Sequence, residues 1–240
     1  MSLVESCKEG GLEGVGDALQ SGVDVNTNDE SGKTGLMWAV TNKHNSVVEL
    51  LIKTPNIDVN QKDGFGRSAL HWAVVENNCE ALKLLLDVPG IDLTIVGRDG
   101  WSAVYRAVFW ENNEALELLI NVPKVDVNML DNDDGSAVHW AVDTDNIGAL
   151  KLLLDHPGLT TRTLNHKIKR DATPMATGLW RLYAVGGVTP VMMAMAMVKL
   201  EHVALLANDP RVDLDTTDER GTSLEERARY AGYSLLGGLY

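Results

Sequence analysis

From Thr34 onward, short apolar blocks alternate with polar breaks in a rhythm that recurs along the chain. "TGLMWAV" runs from Thr34 to Val40, "SALHWAV" from Ser68 to Val74, "SAVYRAV" from Ser102 to Val108 and "SAVHWAV" from Ser136 to Val142, with a worn copy, "TPVMMAM", from Thr189 to Met195. Within one block Leu70, Ala73 and Val74 fall three or four residues apart, which puts them on one face of a helix. The leading Ser or Thr can accept the unpaired backbone N–H groups of the first turn, so it predicts a helix start. An Asn-rich break such as Glu76 to Asn78 separates this helix from a second one, "EALKLLL", whose leucines point inward. Pro55, Pro89, Pro123 and Pro157 end the second helix, because the residue before proline avoids the helical region. "VDVN" and the Asp/Gly-rich residues after it then predict an extended turn into the next block.

Leu36, Leu70, Val104 and Val138 lie 34 residues apart, and the second-helix segments starting at Glu49, Lys83, Glu117 and Lys151 keep the same step without gaps. A fixed period of this length is the mark of a stacked repeat architecture. No single unit can bury its own apolar stripe, so neighbours must stack, and a curved rod of helix pairs is expected.

The pattern resembles the ankyrin repeat. The family's "TPLHxA" element matches Ser68 to Ala73 and Ser136 to Ala141, and less closely Thr34 to Ala39. The period of 34 exceeds the commoner 33, which we attribute to the extra residue in "TPN" or "VPG" ahead of each "IDV". Met37, Tyr105 and Met192 stand where the family has histidine, so its hydroxyl–histidine bond is not expected there. The resemblance implies an all-α ankyrin-repeat solenoid of helix-turn-helix units joined by extended hairpin-like loops. One domain over 1–240 is expected: an N-terminal capping half-repeat (1–28), repeats 1 to 4 (29–62, 63–96, 97–130 and 131–158), a basic insertion (159–187), a degenerate repeat 5 (188–217) and a C-terminal cap (218–240).

The insertion is the one break in rhythm. Val138 to Val191 is a step of 53 rather than 34, so 19 residues are added, and Arg162, Lys167, Lys169, Arg170 and Arg181 there face the single acid Asp171. It reads either as a solvated loop lying along the acidic body or as a partner-contacting finger, with Trp180 and Tyr183 pinning its return leg.

Composition narrows the function. With 34 acidic and 21 basic side chains the formal net charge is −13, which disfavours binding to nucleic-acid phosphates and suits either simple solubility or a basic partner surface. The longest apolar run, Val188 to Val198, is too short to cross a membrane. Two distant cysteines, Cys7 and Cys79, make no disulfide framework, and a reducing compartment, the cytoplasm with the nucleus as alternative, is expected.

Motifs for serine hydrolysis, phosphate-binding loops or zinc proteases are absent, and no cofactor or metal is expected. His71 and His139 belong to the repeat and read as structural. Cys79 occupies a slot filled by Asn45 and Asn113 elsewhere and reads as a packed thiol, not as a nucleophile paired with His71. "DNDDG", Asp131 to Gly135, lacks the distal glutamate of a calcium loop and reads as a turn.

Ankyrin-family proteins bind partners through hairpin tips and the exposed side of the first helices, and the resemblance carries that role onto this register. Phe65, Trp101, Phe109 and Trp110 are then expected to form an aromatic patch flanked by Arg67, Arg98 and Arg106, with Lys167, Lys169 and Arg170 as a second contact. The alternative is that Trp101 and Phe109 pack between neighbouring units and stiffen the stack. Trp38, Trp72 and Trp140 share one recurring core or semi-core slot, which Arg106 breaks in repeat 3. The methionines Met192, Met193, Met195 and Met197 read as fillers of a badly matched core. The expected function is a non-enzymatic module that binds another protein, as a monomer. The alternatives are a self-associating scaffold closed as a homodimer, or an enzyme using residues 159–187 as a lid.

Overall fold

The computed structural model describes residues 2–168 and 186–230, the side chain of Tyr230 excepted. All its regular elements are helices: α1 (Leu3–Glu9), α2 (Leu12–Gln20), α3 (Gly35–Thr41), α4 (Asn45–Ile52), α5 (Ala69–Val75), α6 (Cys79–Leu86), α7 (Ala103–Phe109), α8 (Asn113–Ile120), α9 (Ala137–Asp143), α10 (Ile147–Asp155), α11 (Thr161–Leu164), α12 (Pro190–Ala196), α13 (Leu200–Asn208) and α14 (Leu224–Tyr230). β pairing among the described residues is confined to isolated bridges such as Leu130 with Ser136. The chain divides into two compact units between Val125 and Asp126.

In the first unit the leading helices of successive repeats pack side by side, α1 on α3, α3 on α5 and α5 on α7, while α2, α4, α6 and α8 form a second row. In the second unit α9 packs on α12 and α12 on α14, with α10 beside α13. The apolar stripes meet between the rows. Leu82, Leu85, Leu116, Leu119, Leu150 and Leu153 are fully buried there, and truncating any one of them to alanine would cost about 2–5 kcal/mol.

Each leading helix begins at the expected cap. The hydroxyls of Thr34, Ser102, Ser136 and Thr189 accept the backbone N–H three residues on. At Ser68 and Ser136 the histidine reciprocates: Nδ1 of His71 and of His139 accepts the cap's own backbone N–H at 3.2 Å. Such caps are worth about 1 kcal/mol each. The break after each leading helix passes through one left-handed residue, Lys43, Asn77, Glu111, Asp145 and Val198 in turn. The next helix of three repeats is then capped by Asn78, Asn112 and Asn146, each accepting from an alanine N–H.

The "VDVN" segments have a specific use. The carboxylates of Asp24, Asp58 and Asp126 accept the N–H of the Asn two residues on. That Asn then reaches the following repeat. Nδ2 of Asn26 donates to the carbonyl of Asn56, and its Oδ1 accepts the Asp58 N–H. Asn60 grips Gly90 and Asp92 in the same way, Asn128 grips Gly158 and Thr160, and Asn165 grips Arg211 and Asp213. Thr94 breaks the series, turning its hydroxyl onto Asp92 at 2.7 Å.

The insertion opens inside the fold. Leu159, Leu164 and Ile168 are buried, and Ile168 bridges to Val188. Residues 169–185, which hold Lys169, Arg170, Asp171, Trp180, Arg181 and Tyr183, lie outside the described residues.

Candidate partner-binding site

The hairpin tips are built around one repeated device. At Asp29, Asp63 and Asp131 the first carboxylate oxygen accepts backbone N–H groups two and four residues on, closing a tight loop. The second oxygen accepts the indole N–H nine residues on, from Trp38 at 2.7 Å, Trp72 at 3.2 Å and Trp140 at 2.6 Å. A buried indole needs an acceptor, and here the loop supplies it, locking tip to helix. At the C-terminal end Asp218 does the same with Arg227. Burial raises the Asp131 carboxyl above the usual range, against the bonds from Trp140 and the loop N–H groups.

Repeat 3 keeps the backbone of this loop and exchanges its chemistry. Gly97 takes the Asp slot and Arg106 the Trp slot. The loop still closes, with the Gly97 N–H on the Trp101 carbonyl as the Asp63 N–H is on that of Arg67. The guanidinium fills the room above Gly97, and its Nη2 bonds Asp99 at 2.8 and 3.0 Å. Arg106 is therefore an internal ion-pair member, 6% exposed. Burial pulls its pKa down, while Asp99 holds it up. The free, partner-facing cation expected there is not found. Trp101 is likewise covered, at 8% exposure, with Arg106 5.7 Å from its ring.

Two of the expected aromatics stand clear of the core. Phe65 at the tip of repeat 2 is 57% exposed and Trp110, just past the end of α7, is 56% exposed. They are the only aromatic side chains among the strongly exposed large hydrophobics of the described residues. Phe109 links Trp110 to the interior, with its ring 5.3 Å from Trp110, edge to face, and 4.8 Å from Trp101. The aromatic patch is thus a line, Trp101 to Phe109 to Trp110, buried at one end and open at the other. Phe65 is a separate point, whose carbonyl accepts the Arg98 N–H at 2.9 Å and so ties its tip to the next one.

The cations around Phe65 are engaged by the fold. Lys33 lies 4.2 Å from the Trp38 ring and 3.3 Å from that of Trp72. Arg67 lies 4.1 Å from Trp72 and 4.6 Å from Phe65. Arg67 also binds Asp63 at 3.0 Å. Cation and ring alternate along the tips, each contact worth about 0.5–2 kcal/mol. Lys33 is no open tip residue. It is buried, and burial lowers its pKa, with Arg67 adding to the effect. Arg98 is exposed.

In the second unit, Lys167 is exposed and donates to the Thr217 carbonyl at 2.7 Å. Lys169 and Arg170 lie outside the described residues. His166 sits 3.4 Å from Asp134 and packs edge-on to His139 at 6.3 Å. The Cys79 thiol lies 3.6 Å from Asn77. Burial, reinforced by the Glu114 carboxylate, raises its pKa, the opposite of an activated nucleophile. Burial pushes His71 down to about 4 and His139 to about 3, so both are neutral. Met192, Met193 and Met195 are core residues. Among the described residues no cluster of His, Cys, Asp or Glu could hold a metal ion, and no helix is long and apolar enough to cross a membrane.

Comparison with known proteins agrees with the helical repeat. A family model described as "Ankyrin repeats (3 copies)" matches residues 3–97 and 76–168. Osteoclast-stimulating factor 1 of Bos taurus is 40% identical over 55 residues, which is 23% of this chain and 26% of that protein, so the match spans about a quarter of the relative's length. Among solved structures, the ankyrin repeat domain of Bcl-3, described as a unique member of the IkappaB protein family, superposes with a TM-score of 0.78 over 95% of this chain and 94% of that one, at 24% identity. The likeness to Bcl-3 shows the fold, an all-α ankyrin solenoid.

Proposed function

Because this chain belongs to the ankyrin-repeat family, we propose that it is a non-enzymatic module that grips one partner protein on the first unit, at the tip of repeat 2 and along α7 of repeat 3. Ankyrin repeats are generic protein–protein interaction modules, and the family is typically non-enzymatic. The observation that carries the finer reading is the exposure of Phe65 and Trp110 on a scaffold that buries Trp72, Trp101 and Trp140. Large aromatics rigidly backed by their own fold are the usual anchors of interfaces. Trp110 is backed by Phe109, and Phe65 is held by its bond to Arg98 and its contact with Arg67. Arg67 and Arg98 border this surface. Arg106 and Trp101 support it from below.

The partner is a different protein, and the module acts as a monomer in a reducing compartment, the cytoplasm or the nucleus. Its two free thiols and acidic surface suit that setting. The test is affinity capture with wild-type and Phe65→Ala/Trp110→Ala bait, then titration of the purified partner by calorimetry. Each truncation is expected to weaken binding by about tenfold or more, with the fold retained and stability lowered only by the ring contact it removes, about 0.5–2 kcal/mol. A captured partner that binds the double variant with wild-type affinity would refute the proposed surface. Light scattering that shows a stable dimer would replace it with self-association.

A further inference from the structure

Beside Trp110 a groove of about 340 Å³ opens between the turn that ends α5 and the turn that ends α7. Its walls are Val74, Val75 and the Trp110 indole, and its rim carries Asn77, Glu111, Asn113 and Glu114. Three features point to the same kind of occupant. One is the exposed Trp110 ring itself, because the face of an indole attracts a cation.

A second feature is charge. Glu111 and Glu114 are both exposed at the rim. Two lysines stand near. Lys43 donates to the Asn77 carbonyl at 3.3 Å, and Lys83 lies 3.6 Å from Glu114, with both side chains more than half exposed. An exposed pair at that distance is weak, so Glu114 remains open to a better donor. Neither lysine lies over the Trp110 ring, in contrast to the rings of Trp38, Trp72 and Phe65, each of which has one of the chain's own cations against it.

The third feature is an unmet acceptor. The Oδ1 atom of Asn113 is out of contact with solvent and has no hydrogen-bond partner. Its counterpart one period earlier than Cys79, Asn45, has both ends of its amide engaged: Oδ1 accepts from Asn78 at 2.9 Å, and Nδ2 donates to Glu80 at 2.7 Å. Asn113 keeps the residue type without the partner. A buried acceptor left bare is costly, and a turn of the Asn113 amide, which lines the groove, would bring it to a donor entering there.

We propose that this groove receives an arginine side chain from a basic segment of the partner protein. Its stem would lie against Val75, and its guanidinium would stack on Trp110 while donating to Asn113 Oδ1 and the Glu111 and Glu114 carboxylates. The planar, many-donor guanidinium suits a flat ring bordered by several separate acceptors better than a point-charge ammonium does. The acidic balance of the chain, −13 overall, adds long-range attraction for a basic segment. This assignment rests on the protein-binding reading above and names the chemistry of one of its contacts.

The probes are capped pentapeptides, Ala-Ala-Xaa-Ala-Ala, with arginine, glutamine or glutamate in the middle, titrated into the full chain by NMR. The arginine peptide is expected to shift the Trp110 indole and Asn113 amide signals saturably. The glutamine peptide should bind about tenfold more weakly, and the glutamate peptide should not bind. Trp110→Ala, or Glu111→Gln with Glu114→Gln, should abolish the preference. Asn113→Ala should weaken the arginine peptide several-fold while leaving the melting temperature unchanged or raised, a sign that a purely structural asparagine would reverse. Equal binding of the arginine and glutamine peptides, or arginine binding that survives Trp110→Ala, would overturn the assignment. A captured partner that depends on Trp110 yet is indifferent to both glutamate substitutions would also overturn it, while leaving the protein-binding reading intact.

Discussion

Restoring the Asp–Trp pair in repeat 3 tests the reading of the tips. Gly97→Asp and Arg106→Trp should each destabilise, and together they should cost clearly less than the sum of the two. An ideal Cβ on Gly97 would sit 2.6 Å from both Arg106 Nη2 and Asp99 Oδ1, so the single Gly97→Asp substitution forces the guanidinium from its seat. We expect a cost of about 1–3 kcal/mol, the usual range for overpacking. Gly97 does not lie at positive φ, so the backbone itself admits a side chain. Arg106→Trp alone removes two bonds to Asp99 and buries an indole N–H with no carboxylate at position 97. Losing charged hydrogen bonds and leaving a buried donor bare costs about 2–3 kcal/mol. In the double variant the new carboxylate can accept the new indole, as in three other repeats at 2.6–3.2 Å. The coupling should therefore be favourable by about 2–3 kcal/mol. Guanidinium denaturation of all four proteins, followed by circular dichroism, measures the cycle. Additivity within about 0.5 kcal/mol, the behaviour of independent sites, would refute the claim that the Gly97/Arg106 pair replaces the Asp/Trp pair as a unit.

Other outcomes follow from the same geometry. His71 and His139 have folded-state pKa values of about 4 and about 3, lowered by burial, so the unfolded chain binds more protons than the folded one below about 6.5. Stability should thus be full above that pH and fall on acidification, by roughly 2 kcal/mol per histidine between pH 7.5 and pH 5. His202, also lowered by burial, adds in the same direction, and urea midpoints that do not move over this window would contradict it. Val198 holds a φ of 61° at a turn where other repeats place Lys43, Asn77, Glu111 and Asp145, and a β-branched residue is strained there. Val198→Asn should therefore stabilise by about 1 kcal/mol and raise the calorimetric melting temperature by about 2–4 °C; no rise would show that the strain is absent. Asn60→Ala removes two bonds to the next repeat, at 2.8 and 2.9 Å, and should lower the denaturation free energy by about 1–2 kcal/mol, whereas Asn60→Asp should keep only the bond its oxygen accepts from the Asp92 N–H and give an intermediate value.

Much of the fold was legible because its causes are local. The cap hydroxyls at Thr34, Ser68, Ser102 and Ser136, the apolar spacing behind them and the prolines after each second helix are all read within a dozen residues. The capping role of His71 and His139 follows from the same short window. The device at the tips was visible in part. The recurring tryptophan and its break at Arg106 stand out along the chain, and an aspartate nine residues earlier accompanies Trp38, Trp72 and Trp140. That spacing is the signal from which the indole's acceptor could have been found, and its exchange to Gly97 predicts that Arg106 must point inward.

By itself, then, the sequence determined the helix pairs, their period and the burial of their leucines, since periodicity and capping depend only on neighbours along the chain. Tertiary structure alone decided which polar and aromatic side chains remain available. Trp101 and Phe65 stand in similar tip contexts, yet one is covered and the other open. Lys33 is spent on its own Trp38 and on the Trp72 ring of the next repeat, and Arg67 on Phe65 and Trp72, while Asn113 lacks the partner that Asn45 has. The physical reason is that exposure and satisfied bonding are properties of groups brought together from about thirty residues apart, and no window of the chain contains both sides of those contacts.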